Sequence, residues 1–193
     1  KYIYWKLQLG NFDAFNEAKR ILASKSATGV QMQAAVQFYR LIRARKQIVD
    51  FADNKINKFQ QIYASNTDKK ILVFSGANDF TDKLCDSIPD GMAYHSKKTK
   101  KQKELALESF KNDDINVLFS TKALNQGFDV PNANMGIMCG ITSKALSMIQ
   151  RVGRLIRFQE DKIGKIVIIY VADSQEEKWL KKATKSLKNV VWQ

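Results

Sequence analysis

The chain has 193 residues, 45% of them apolar and 26% charged, with a formal net charge of +13. That length and balance suit a soluble globule of one domain plus an appendage, and exclude a bilayer span, since the longest apolar runs, such as 166–172, are far too short. With one histidine, His95, and two cysteines, Cys85 and Cys139, lacking ligand spacing, a conventional zinc site is excluded as well.

The positive charge favours a polyanionic partner, nucleic acid first, over a generically basic surface. Both cysteines sit in apolar stretches and read as reduced core residues. That fits a cytoplasmic location, in a bacterium or a phage-infected cell, or a nuclear one in a eukaryote. No secretory signal is visible and the first residue is Lys1, so the chain reads as a piece of something longer.

In chain order, 1–10 alternates around Lys6 and Gln8 and predicts an edge strand. A short helix follows over 13–24, closed by 24–29. Residues 31–64 repeat apolar side chains at helical spacing (Phe38, Leu41, Ile42, Ile48, Val49, Ala52, Ile56, Phe59, Ile62), with Arg40, Arg43, Arg45 and Lys46 crowding the middle. This is an amphipathic helix with room for one break. The stretch 65–70 marks the boundary between a helical lead-in, 1–64, and an α/β unit, 65–193. Within that unit "KILVFSG" is a strand, "DFTDKLCDSI" a helix and "GMAYHS" a strand. "KKQKELALESFKN" is a helix with Leu105, Leu107 and Phe110 partly buried, and "INVLFST" and "NMGIMCGI" are strands. "SKALSMIQRVGR" is a helix, "KIVIIYVA" a strand, and "SQEEKWLKKATKSL" a helix capped by Ser174 with Glu177 three residues on. Strands that alternate with helices and read as continuous apolar runs predict a parallel α/β sheet with helices on both faces. Ligands in such sheets bind beyond the carboxyl ends of the strands, which places Ser75, Gly76, His95, Ser96 and Thr121 at candidate positions.

The segment "SMIQRVGRLIRF", 147–158, carries three arginines and no acid. On a helical wheel Met148, Ile149, Val152, Leu155 and Ile156 gather on one side. Gln150, Arg151, Arg154 and Arg157 gather on the other, with Gly153 between. Gly153 costs a helix roughly 1 kcal/mol relative to alanine, and its bare backbone admits a ligand or another chain segment. A cation cluster without acids suits an arriving polyphosphate, or a carboxylate from another domain, because guanidinium forks bind phosphoryl oxygens; a solvated basic helix face is the plain alternative. Upstream, Gly127, Asp129 and Pro131 lie in a loop after the strand that ends at Ser120 and Thr121, a setting that suits phosphate ligands or a plain turn.

"STKALNQGFDVPNA" and "QRVGRLIR" resemble motifs V and VI of superfamily-two helicases. "ILVFSG" resembles motif IV, and the stretch from "YHSKKTKKQKELALESF" to "INVLFST" resembles the segment joining motif IV to motif V. The four blocks occur in order over about 69–172, and the pattern is closest to phage UvsW-type and Rad25-like DNA helicases and translocases. The resemblance implies the second, C-terminal RecA-like lobe of such a motor. In that family two lobes clamp ATP and Mg²⁺, and nucleic acid runs across both. The first lobe carries the P-loop and an Asp-Glu motif, neither of which occurs here: at "IGKIV", Gln159 stands where the first P-loop glycine belongs. The fragment is therefore expected to be inactive alone.

By the same resemblance, Arg157 is the arginine finger, Arg154 approaches the γ-phosphate and Gln150 orients the pair. Gly127, Asp129 and Gly153 face the nucleotide, with Asp129 near the ribose. Ser75, Gly76, His95, Ser96, Lys97, Lys98 and Thr121 hold the nucleic-acid backbone. The expected partners are the first lobe and DNA, single-stranded or branched, with RNA as the other option. A degenerate module that binds nucleic acid or protein without ATP turnover is the competing reading.

Overall fold

Five short apolar segments pair into a single parallel sheet: β1 (Ile71–Phe74), β2 (Gly91–Tyr94), β3 (Val117–Ser120), β4 (Met135–Met138) and β5 (Lys165–Ile168), in the order β2-β3-β1-β4-β5. The computed structural model of the chain describes residues 13–121, 133–156 and 164–192. The strand expected over 1–10 lies outside them. The helices are α1 (Ala14–Ala23), α2 (Gly29–Asp50), α3 (Asp53–Ala64), α4 (Asn78–Asp86), α5 (Lys100–Lys111), α6 (Ala145–Leu155) and α7 (Gln175–Thr184).

The strands stand level at their ends. Phe74 pairs with Ser120 and Met138, Ser120 with Tyr94, and Met138 with Ile168. Alternate residues of β1 and β3 go to opposite faces, as the strand period of two requires. Leu72, Phe74, Leu118 and Met138 join one core with Ala106 and Phe110 of α5, Ile149 and Val152 of α6, and Leu180 and Ala183 of α7. Ile71, Val73, Val117, Phe119, Met135 and Ile137 join a second with Phe59 of α3 and Phe80 and Leu84 of α4. Helices thus cover both faces, which is why the strands read as unbroken apolar runs. This is the RecA-like parallel α/β architecture that the sequence predicts.

The chain divides into two compact units, Lys1–Val49 and Asp50–Gln193. The long helix expected over 31–64 is two helices, broken at 51–52, and α3 belongs to the sheet-bearing unit through buried Phe59. In the first unit Ala18 and Ile21 of α1 bury against Ala35 of α2. Asp13 caps α1, its carboxylate accepting from the Phe15 and Asn16 amides at 3.0 and 3.1 Å.

Two local expectations change. Leu105 is exposed, because Ala106 and Phe110 fill the inner side of α5. Glu177 accepts from the amide of Asp173, one residue short of the Ser174 cap expected to receive it. Both cysteines are free thiols. Burial, foremost, pushes Cys85 up to about 11 and Cys139 up to about 12, so neither is a ready nucleophile. No described helix is long and apolar enough to cross a membrane.

Candidate functional site

Topology sorts the candidate residues into two groups at opposite edges of the sheet. The chain leaves β4 at its carboxyl end, runs back along α6 and enters β5 at its amino end. Gly153 and Arg154, late in α6, therefore lie toward the amino edge, where a Cβ at Gly153 would stand 3.8 Å from Ile166 of β5. Ser75, Gly76, His95, Ser96 and Thr121 follow the carboxyl ends of β1, β2 and β3. Gly153 and Arg154 thus do not share the carboxyl edge where open sheets usually hold ligands.

The arginine helix is laid down by its apolar side. Ala145, Ile149, Val152 and Ile156 are buried, whereas Gln150, Arg151, Gly153 and Arg154 are exposed. Gly136 on β4 makes the seat: a Cβ there would come within 2.6 Å of Val152 Cγ1 and 2.9 Å of Ile156 Cδ1. Among the described residues, no acid forms an ion pair with Arg151 or Arg154. The exposed face of α6 is therefore cationic and unneutralised there. Gly127, Asp129 and Arg157 lie outside the described residues.

At the carboxyl edge the candidates divide between inward and outward groups. Ser75 is buried; its hydroxyl donates to the Ala77 carbonyl at 3.0 Å and lies 2.6 Å from Thr81 Oγ1. His95 is buried too, its imidazole Nε2 2.9 Å from Asp82 Oδ1 and its Nδ1 accepting from the Lys97 amide at 3.3 Å. These two side chains brace the strand ends from inside and offer no exposed surface to a ligand. Gly76, Ser96 and Lys97 are exposed, and Thr121 and Lys98 half-exposed. Asn78 Nδ2 donates to Ser96 Oγ at 3.2 Å.

Both lysines already have acids. Lys97 pairs with Asp79, and Lys98 Nζ lies 2.9 Å from Asp82 Oδ1. Burial raises the Asp82 carboxyl, but hydrogen bonds from His95 and Lys98 outweigh it, and the group titrates below its ordinary value. The Lys97 ammonium is held above its usual range by the hydrogen bond to Asp79. The exposed Lys97–Asp79 pair is worth little to stability. The sequence reading missed Asp79 and Asp82; "NDFTD" after a motif-IV-like strand was the available signal, because a helix there faces the next strand end. It also missed the Thr99–Gln102 capping box, which fixes the start of α5 just beyond the lysines.

One buried ion pair ties the carboxyl edge together. Lys55 of α3 meets Glu176 of α7 at 2.9 Å, with side chains 2% and 3% exposed. The two Glu176 oxygens also accept from the Ile141 and Val171 amides, each at 3.0 Å, just past β4 and β5. Among the described residues no group of three or more His, Cys, Asp or Glu could hold a metal ion.

Residues 54–159 match the helicase conserved C-terminal domain. The chain belongs to that family. Its RecA-like fold is that of solved helicase domains. Among curated relatives, the chain is 23% identical over 167 residues to the DNA 3'-5' translocase XPB2 of Sulfurisphaera tokodaii, covering 78% of this chain and 38% of that protein. It is 25% identical over 116 residues to the pre-mRNA-splicing ATP-dependent RNA helicase PRP28 of Saccharomyces cerevisiae, covering 56% and 20%. The chain thus spans well under half the length of either. Among solved structures, the Pyrococcus furiosus Hef helicase domain superposes with a TM-score of 0.54 at 21% identity, over 94% of this chain and 37% of that one. Domain 2 of the DEAD-box helicase Mss116p bound to an RNA duplex gives 0.56 at 21%, over 72% and 57%. At such identities these structures speak for the fold alone. The helicase C-terminal family is shared by motors acting on either nucleic acid.

Proposed function

We propose that residues 50–193 are the second motor lobe of an ATP-dependent DNA helicase or translocase of the UvsW and Rad25 kind. The observation that carries the proposal is the outward face of α6, where Gln150, Arg151 and Arg154 are exposed and no described acid neutralises the arginines. A nucleic-acid-binding module could use free arginines too, but it has no need of the Gln150, Arg154 and Arg157 set. A motor lobe does, because guanidinium groups must be free to meet the γ-phosphate when the other lobe delivers it.

In this reading ATP and Mg²⁺ are held by the first lobe, and this chain completes the site. Arg157 is the finger, Arg154 its companion, and Gln150 orients them; Gly127, Asp129 and Gly153 line the approach. The carboxyl edge tracks a nucleic-acid backbone through the amides and hydroxyls near Gly76, Ser96 and Thr121 and through Lys97 and Lys98 once they leave their acids. Contacts of this class carry no base information, as stepping along any sequence requires. Ser75 and His95 act from behind, by holding the strand ends.

DNA is favoured over RNA by the sequence pattern alone. The test is ATP turnover by the full-length protein with single-stranded, duplex and forked DNA and with RNA. Stimulation by DNA above RNA is expected. Stimulation by RNA alone would move the chain to the RNA motors, and no turnover with any of them would leave only a binding module.

A further inference from the structure

α7 presents its lysines as a stripe. Lys178, Lys181, Lys182 and Lys185 follow one another at i, i+3, i+4 and i+7, on the side away from buried Glu176, Leu180 and Ala183. Among the described residues only Lys181 has an acid, Glu177. The helix dipole accounts for cations in the last turn, but not for Lys178 before it or for Lys188 beyond it.

The tail folds back along this stripe. Lys181, Thr184, Lys185, Val190 and Trp192 line an open groove of about 390 Å³. The Trp192 ring meets Tyr170 edge-on, 5.9 Å between centroids, yet Trp192 stays 44% exposed. Tyr170 follows the carboxyl end of β5. The Trp192 end of the groove therefore lies near the carboxyl end of β5.

We propose that this groove is a further single-strand binding surface, in which the lysines hold consecutive phosphates and Trp192 stacks on a base. The stripe spans about 10 Å of helix, enough for about three phosphates of a stacked strand. An aromatic side chain beside a cationic track is the combination that holds single strands without regard to sequence. The proposal rests on the motor-lobe reading only in extending its nucleic-acid edge past β5. It would stand for a binding module as well.

Fluorescence anisotropy of the full chain with labelled dT20 tests it, at several salt concentrations. Lys178→Ala/Lys182→Ala/Lys185→Ala should raise Kd about tenfold or more at 0.1 M salt and flatten the log–log salt slope by about 2, since each phosphate contact to a single strand contributes about 0.7. Trp192→Ala should weaken binding at least about fivefold and Trp192→Phe clearly less, as stacking is worth about 1–3 kcal/mol per base. Circular dichroism checks that each variant is folded. An unchanged Kd and slope in the lysine variant overturns the proposal, as does a lysine effect without a Trp192 effect. So does an equal loss of binding to poly-glutamate, which would make the stripe a surface for acidic protein. The role of Arg154 is read by ATP turnover instead, so the two proposals fail separately.

Discussion

At the scale of single residues, Gly136 sets how closely the arginine helix lies on the sheet. A methyl group there would meet Val152 and Ile156 well inside contact distance, and overpacking of this kind costs about 1–3 kcal/mol. Gly136→Ala should lower the unfolding free energy measured in urea by that much, with partial recovery in Gly136→Ala/Val152→Ala. Gly153, on the same helix, behaves oppositely. Its Cβ would find only Ile166, at 3.8 Å, so Gly153→Ala should stabilise the chain by about 1 kcal/mol. If the same variant slows ATP turnover in the full-length protein, the glycine is kept for close approach of the nucleotide. Gly153 stood out in the sequence because it interrupts an otherwise strong helix; Gly136 did not, because nothing in "NMGIMCGI" tells which helix will cross it. His95 was visible as a strand-end residue, but its partner Asp82 is an acid on another element, and a sequence does not state such pairings.

Asp82 also gives a pH signature. Its carboxyl is depressed in the fold, so the associated stability is present above the ordinary aspartate range and is lost as pH falls through the lowered value. Stability against urea should fall as pH drops below the ordinary aspartate range in the parent chain, and Asp82→Asn should flatten that limb. An unchanged acid limb would show that the His95 and Lys98 contacts contribute nothing in solution.

At the scale of elements, Lys55 and Glu176 join α3 to α7 across the carboxyl edge. Both ends of this contact are buried, and removing one partner of a buried pair typically costs about 3–5 kcal/mol. Lys55→Met should therefore be strongly destabilising in chemical denaturation, and Lys55→Met/Glu176→Gln less so, because the glutamine carbonyl can still accept from one of the two amides. The helices and strands themselves were legible from periodicity and continuous apolar runs, with two physical exceptions. The sequence allowed one break in the long helix but could not place it at 51–52, because apolar residues keep helical spacing straight through it. Leu105 was expected to be partly buried, yet Ala106 and Phe110 already face the sheet and a helix turn has room for only so many inward residues. The α6 face was readable because its apolar and cationic residues separate cleanly on a wheel.

At the scale of the whole molecule, the sheet separates two tasks. Cations on α6 collect toward the amino edge, and the proposed backbone contacts collect at the carboxyl edge, with buried Ser75, Thr81 and His95 and half-buried Asp82 holding the latter in place. That separation was not legible in the sequence, which pointed every ligand to the strand carboxyl ends; it follows from the direction in which α6 runs between β4 and β5. The family match identifies the chain as a helicase C-terminal domain, and in the proposed motor the free arginine face is the feature that a second lobe would use. The most direct test is ATP turnover by the full-length protein carrying Arg157→Ala or Arg154→Ala, with nucleotide affinity measured alongside. The account predicts a loss of about 10³–10⁵ in turnover for the finger, with ATP binding within a few-fold of the parent; near-normal turnover in both variants would contradict it.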